Sequence, residues 1–136
     1  MTAPTGTVNT LRPTVTWNAV STATSYEIRI DNTTTNTSNV VTGTSATASF
    51  TPTTDLVSGQ NYRVSVRAVI PGGFGEWSTP SAFNVGLVTL TSPSNRTNTL
   101  RPTITWTGIE GATRYEISLI GGTAVTNDTY PSVFTT

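Results

Sequence analysis

The chain has 136 residues, a length that suits one domain, or one small domain with part of another. Charged residues make up 10% of the sequence, against about 25% in an average globular protein, and seven basic residues balance seven acidic ones. No basic cluster and no apolar run as long as a membrane helix occurs, so we expect neither a nucleic-acid partner nor membrane insertion. The start of the chain lacks a signal-peptide pattern, so the chain is cytosolic or its targeting sequence lies elsewhere.

The sequence pattern of the first part of the chain predicts a series of short strands. The segments are TVTWN at 14–18, YEIRI at 26–30, ASFTP at 48–52, YRVSVRAV at 62–69 and SAFNV at 81–85. The first, second and fourth alternate apolar and polar residues, which predicts half-buried antiparallel strands. Abundant threonine suits the outward faces of such strands, because its side chain is β-branched. About seven short strands with polar breaks predict an all-β sandwich.

One phrase occurs twice. NTLRPTVTW at 9–17 returns as NTLRPTITW at 98–106, so Trp17 and Trp106 lie 89 positions apart, and Tyr26 and Tyr115 keep the same offset. We therefore predict tandem sandwiches, a complete one at 1–88 and a partial one at 89–136 that holds only its first five strands. No Gly/Ser-rich or Pro-rich linker separates them, which predicts limited relative motion.

The second unit lacks counterparts of the sixth and last strands. SVFTT at 132–136 is similar to ASFTP, and the chain stops there. An apolar face with Tyr115, Ile117 and Leu119 is then left uncovered, and such a face recruits another strand or aggregates. Two sources of cover remain open: further repeats of a longer protein from which this chain is a fragment, or other copies of the same chain.

Four features in order identify a family. Trp17 ends the second strand, Tyr26 opens the third, LVSGQNYRVSVRAV at 56–69 contains the sixth, and GGFGEWSTPS leads into the last. In these features the first unit resembles a fibronectin type III domain, an immunoglobulin-like β-sandwich. The resemblance implies that Leu56, Gly59 and Tyr62 form that family's tyrosine corner, in which the phenol bonds back to the connecting loop. The structural core residues implied are Trp17, Tyr26, Leu56, Tyr62 and Trp106.

A longer shared phrase adds a more particular similarity. TLRPTVTWNAVSTATSYEI and TLRPTITWTGIEGATRYEI are similar to repeats of large secreted bacterial surface proteins. That resemblance implies an extracellular or cell-surface location and a role as a structural or adhesive spacer of a surface protein or fibre. The loop before the last strand has no Arg-Gly-Asp tripeptide, so integrin binding is not implied.

Side chains for catalysis are scarce. The sequence has no histidine, cysteine or lysine, which removes the usual general base, thiol and Schiff-base nucleophiles. Its carboxylates are scattered, and those inside strands are expected to point to the solvated face. We therefore expect no catalytic residue, no cofactor and no metal site. Asp31, Asn32 and Asp55 are better explained as turn residues than as calcium ligands.

The outward face of the third and sixth strands is more informative. These strands are neighbours in this fold, so Glu27 and Arg29 are expected beside Arg63 and Arg67 as cross-strand pairs. Trp77, which precedes the last strand, is expected to stack across Arg63 or Arg67.

The alternative to a stacked Trp77 is a binding site in the segment PGGFGEW at 71–77. Glycines would let this loop project, so that Phe74 and Trp77 form an exposed aromatic platform for a cell-surface glycan or protein. We favour the stacked arrangement, because an Arg-stacked tryptophan hides its ring. Exposure of the two rings discriminates between them.

Overall fold

The computed structural model describes residues 1–118, and every regular element in this range is a β-strand. No helix that could cross a membrane occurs in the described range. The strands are β1 Gly6–Val8, β2 Val15–Thr16, β3 Ser25–Asn32, β4 Thr37–Ser45, β5 Ser49–Phe50, β6 Asn61–Ile70, β7 Gly73–Phe74, β8 Ser81–Val85, β9 Thr89–Ser92 and β10 Thr105–Thr107. The predicted all-β, immunoglobulin-like sandwich is confirmed.

The first eight strands form two sheets. The larger has the order β1-β8-β6-β3-β4, with the short β7 paired to β6, and the smaller pairs β2 with β5. The chain starts on the smaller sheet, where Ala3 bridges to Thr16, and then crosses to the larger sheet, where β1 runs parallel to β8. This crossing ties the two sheets together at one edge.

A single apolar cluster fills the space between the sheets. The alternation seen in the sequence determines its members, since every second residue of a strand faces inward. Trp17 packs edge-on against Tyr26 at 5.1 Å between ring centroids, and Tyr62 stacks on Phe83 at 5.5 Å. Burying one such large apolar side chain is worth about 1.5–3 kcal/mol. The buried members are Val15, Trp17, Tyr26, Ile28, Ile30, Val41, Leu56, Tyr62, Val64, Val66, Phe83 and Val85.

A tyrosine fixes the loop between β5 and β6. The backbone N–H of Val57 donates to the Tyr62 hydroxyl at 2.9 Å, and that hydroxyl lies 3.3 Å from the Val57 carbonyl. Gly59 has φ +75°, a conformation that favours glycine. Its N–H donates to the Val85 carbonyl at 2.8 Å, which joins the loop to β8. Leu56 is buried beneath this loop.

A second tyrosine clasp, which the sequence did not reveal, occurs in both copies of the repeat. The Val20 N–H donates to the Tyr26 hydroxyl at 2.8 Å, and the Ile109 N–H donates to the Tyr115 hydroxyl at the same distance. Trp106 lies 5.4 Å from the Tyr115 ring, as in the first copy. In both copies the loop after the tryptophan strand is therefore bonded to a tyrosine hydroxyl.

The second copy has the same local contacts between its tryptophan and tyrosine as the first, but its apolar residues are less buried. Trp106, Tyr115 and Ile117 are half-buried, whereas their counterparts in the first copy are buried. Leu100 is fully exposed, at 102%. Residues 115–118 have no strand assignment, because within the described range they pair with no neighbouring strand, whereas β3 is paired on both sides. Leu119 and the SVFTT segment lie outside the described residues, and the division of the chain into domains after residue 88 stays a prediction.

Candidate functional site

The described carboxylates are mostly held by arginines. Within residues 1–118 no three acidic side chains come together as a group that could hold a metal ion. The ion pairs are Arg12–Asp55 at 2.6 Å, Arg63–Asp31 at 2.9 Å, Arg67–Glu27 at 2.7 Å and Arg114–Glu116 at 3.0 Å. Asp128 lies outside the described residues.

Aromatic and cationic side chains alternate on the outer face of the larger sheet. We call Arg29, Trp77, Arg67 and Phe74 the aromatic ladder. The Arg29 guanidinium lies 4.3 Å from the Trp77 ring, and that of Arg67 lies 4.7 Å from Trp77 and 4.2 Å from Phe74. Contacts of this kind contribute about 0.5–1 kcal/mol each at exposed sites. Four residues from three segments are thereby fixed relative to each other.

Backbone pairing holds Trp77 over the sheet. The Ser78 N–H donates to the Val66 carbonyl at 2.8 Å, and the Val66 N–H donates to the Ser78 hydroxyl at 3.1 Å. On the other side, the Gly75 N–H donates to the Ala68 carbonyl at 2.9 Å. The segment before the last strand therefore lies along β6, and it does not project as a free loop.

The strand register decides which arginines join the ladder. Glu27 faces Arg67 across β3 and β6, and Asp31 faces Arg63. Arg63 is therefore occupied by Asp31, and Trp77 stacks on Arg67 and Arg29. Arg29 faces Ser65, and its buried Nε has no hydrogen-bond partner in the described range, so its guanidinium interacts with the indole ring instead.

The two ring residues differ in exposure. Phe74 is 56% exposed, whereas Trp77 is half-buried between two guanidinium groups. The exposed part of the ladder is therefore the Phe74 ring, one side of which contacts Arg67. A platform of two free aromatic faces, as the sequence suggested in the alternative reading, is not present.

Asp31 lies opposite Arg63, on the same face of β3 as Glu27, as expected for strand carboxylates, yet it is only 8% exposed. The β3–β6 register continues without a shift through Asp31, and the Arg63 side chain and the Asn39 N–H cover the carboxylate. Burial by itself raises the pKa of this carboxyl. The hydrogen bond from the Asn39 N–H at 2.8 Å and the contact with Arg63 outweigh burial, so the pKa of Asp31 lies below its ordinary value.

A backbone bridge, which we call the junction, connects the two copies of the repeat. The Glu110 N–H donates to the Asn9 carbonyl at 2.8 Å, and the Leu11 N–H donates to the Glu110 carbonyl at 3.0 Å. Thr10 and Glu110 are thereby paired in parallel. Ile109, next to the bridge, is 6% exposed. The bridge links the start of the first copy to the loop after β10.

The junction is supported on both sides. The Leu11 carbonyl accepts the Leu56 N–H at 2.9 Å, so the paired segment is bonded to the tyrosine-fixed loop. Gly111 has φ +91°, and a Cβ added to it would lie 3.6 Å from the Leu11 Cβ. An open polar cleft of about 550 Å³ lies beside the bridge, lined by Thr10, Arg12, Thr14, Thr51, Asp55, Glu110 and Gly111.

Sequence reasoning missed the junction. Two backbone hydrogen bonds need no particular side chains, so the repeat comparison carries little trace of them. The one usable signal is the exchange of Thr22 for Gly111 at equivalent positions, since a glycine in an otherwise matched loop suggests a backbone conformation that threonine does not adopt.

Comparison with known proteins bears on the first copy. A family model of the fibronectin type III domain matches residues 2–84. Searches of curated proteins and of solved structures found no match to the chain.

The depressed pKa of Asp31 predicts a pH-dependent cost for Asp31→Asn. The carboxylate stabilises the folded state above its unfolded pKa of about 3.9, and this contribution is lost as the pH falls through the lower folded pKa. We expect the variant to lose about 1–3 kcal/mol of unfolding free energy at pH 7, since a buried charged acceptor is removed. The difference should shrink as the pH falls from 7 to 2, because protonation of the native carboxyl removes its contribution. Urea denaturation at both pH values measures it.

Asp55→Asn is the matched control for this prediction. The Arg12–Asp55 pair is about half exposed, with side-chain exposures of 52% and 48%. Its loss should cost at most about 1 kcal/mol at pH 7. An Asp31→Asn cost that is the same at pH 7 and pH 2 would contradict the assignment.

Proposed function

The chain belongs to the fibronectin type III family, and from that premise we propose that it is a non-catalytic structural spacer of an extracellular bacterial surface protein or fibre. A spacer must hold its neighbours at a set distance and orientation. The observation that supports this role is the junction, which joins the loop after β10 to residues 9–11 by two backbone hydrogen bonds.

The free energy of the two junction hydrogen bonds is small, but it is enough to favour the paired arrangement. Two hydrogen bonds at about 1 kcal/mol each favour the paired arrangement by more than about tenfold. The chain that connects the two copies is short and has no flexible linker, so the partners stay at high effective concentration. The start of this connecting chain is also bonded to the first copy, because the Gly86 N–H donates to the Val8 carbonyl at 2.8 Å. The first copy is thus bonded both to the start of the connecting chain and, through the junction, to the loop after β10.

The extracellular setting rests on the similarity of the repeated phrase to repeats of secreted bacterial surface proteins. Its test is digestion of intact source cells with a protease: release of peptides from this chain without cell lysis supports a surface location, and full protection opposes it.

We propose that the half-buried face of the second copy is completed by further repeats of the same protein. Trp106 and Tyr115 already have the packing of their buried counterparts, and additional strands would complete their burial. Completion by other copies of the chain is the competing source. Native mass spectrometry distinguishes them, because complementation between copies gives multiples of 14.3 kDa.

A binding role for the Phe74 and Trp77 segment is a second candidate, supported by the 56% exposure of Phe74. The ring is the most exposed member of the aromatic ladder and borders the half-buried Trp77. A glycan or protein that covers Phe74 should change Trp77 fluorescence through the shared Arg67. The matched variant Phe74→Ala should lose that response, and no response from the native chain to a glycan panel would exclude glycan binding at this site.

The spacer role predicts that Gly111→Val loosens the two copies relative to each other. Valine strongly disfavours the φ of +91° at this position, so the loop should change its turn and lose the Leu11–Glu110 hydrogen bond. The chain has no cysteine, so spin labels can be attached at Thr79→Cys and Thr103→Cys alone. Pulsed electron paramagnetic resonance should give a narrow distance distribution for the native background and a broad one for Gly111→Val.

Gly72→Val is the control for that experiment. Gly72 has nearly the same φ, +93°, and lies in the β6–β7 turn with no neighbour in reach of an added Cβ. It should strain its own turn and leave the distance distribution narrow. Equal widths for the native background and Gly111→Val would contradict a junction that sets the orientation.

A further inference from the structure

Each half of the junction has a counterpart that makes no such backbone contact within residues 1–118. Residues 9–11 correspond to 98–100, and Ile109–Gly111 corresponds to Val20–Thr22, at the offset of 89. We propose that Asn98–Leu100 is a docking segment for the loop of a further fibronectin type III unit, and that a glycine at the third position of that loop selects the partner. The inference rests on the proposed spacer function and names its contact.

In the docking segment, the groups that form the junction in the first copy make no such contact within residues 1–118. Leu11 is half-buried against Gly111, whereas Leu100 is 102% exposed. Within residues 1–118, the Leu100 N–H and the Asn98 carbonyl make no backbone hydrogen bond, although their counterparts form the junction. The same sequence, Asn-Thr-Leu-Arg-Pro-Thr, is therefore presented once in an occupied state and once in an open state.

The two loops show what an occupant must look like. Both loops close a four-residue turn with the same hydrogen bond: the Ala23 N–H donates to the Val20 carbonyl at 3.0 Å, and the Ala112 N–H donates to the Ile109 carbonyl at 3.1 Å. Ile109, in the engaged loop, is 6% exposed, whereas Val20 is 46% exposed. The first residue of the turn is therefore buried in the engaged loop and exposed in the free one.

The third position of the turn separates the loops. Gly111 has φ +91°, and Thr22 does not have a positive φ. A turn with positive φ at this position is of type II, whereas one without it is of type I, and the central peptide differs between the two by about half a rotation. That peptide carries the Glu110 carbonyl, which accepts the Leu11 N–H. Only the glycine loop directs this carbonyl at the docking segment.

The occupant is therefore a unit with a free loop of the Ile-Glu-Gly type. A second copy of this chain does not qualify, because its glycine loop is engaged in its own junction and its free loop carries Thr22. Thr22→Gly converts the free loop into a qualifying one, since glycine adopts the type II conformation without strain. This substitution supplies a partner of known sequence for the test.

Disulfide trapping in the full-length, cysteine-free chain tests the proposal. Thr10 and Glu110 are bridge partners, so Thr99 and Ser21 would be partners in a docked pair. Thr99→Cys chains are mixed with Ser21→Cys/Thr22→Gly chains in a glutathione buffer, and the heterodimer is quantified by mass spectrometry. Ser21→Cys chains that retain Thr22 form the matched comparison. Thr53→Cys/Thr22→Gly chains, with an exposed cysteine elsewhere, give the collision background.

In the Thr22→Gly mixture, we expect the yield of heterodimer to be about tenfold or more above the collision background. In the mixture that retains Thr22, we expect a yield within about twofold of that background. Heterodimer at background in the Thr22→Gly mixture, or equal enrichment in both mixtures, would overturn the proposal. The double variant Thr10→Cys/Glu110→Cys separates the two claims. If its internal disulfide forms while the heterodimer does not, the docking segment is wrong and the spacer stands; if neither forms, both fail.

Discussion

The proposed spacer role depends on a pair of hydrogen bonds between the two repeat copies, in which one residue serves as both donor and acceptor. Glu110 donates its N–H to the Asn9 carbonyl and accepts the Leu11 N–H. Both bonds require the loop after β10 to hold its position, and the Tyr115 hydroxyl, bonded to Ile109, supplies that constraint. The junction therefore depends on a tyrosine clasp that both copies contain.

On the opposite side, the junction is continuous with the larger sandwich. The Leu11 carbonyl accepts from Leu56, and the next residue, Val57, is bonded to the Tyr62 hydroxyl on β6. Tyr62 in turn stacks on Phe83 of β8, the strand that leads into the connection. Backbone hydrogen bonds and packed rings thus connect the loop after β10 to β6 and β8 of the first copy. These contacts support the proposed spacer role.

Much of this fold could be predicted from the sequence, because period-two alternation is strong in β3 and β6 and the Leu56, Gly59 and Tyr62 spacing is distinctive. What failed depended on register and main-chain geometry. Asp31 was expected to be solvated, because the alternation gives no sign that Arg63 and the Asn39 N–H cover its carboxylate. Trp77 stacks on Arg67, one of the two arginines expected, but the contact with Arg29 was not expected, and Arg63 is set opposite Asp31 by the β3–β6 register. The junction was invisible, since backbone bonds leave only the glycine at 111 as a trace.

The most direct test of the central claim is amide hydrogen exchange at Leu11 and Glu110, measured by NMR in the native chain. Each of these N–H groups donates only across the junction, whereas the Leu100 N–H occupies the equivalent position of Leu11 without a backbone partner in the described range. A junction that fixes the two copies predicts slow exchange at Leu11 and Glu110 and fast exchange at Leu100. Exchange at Leu11 as fast as at Leu100 would contradict it.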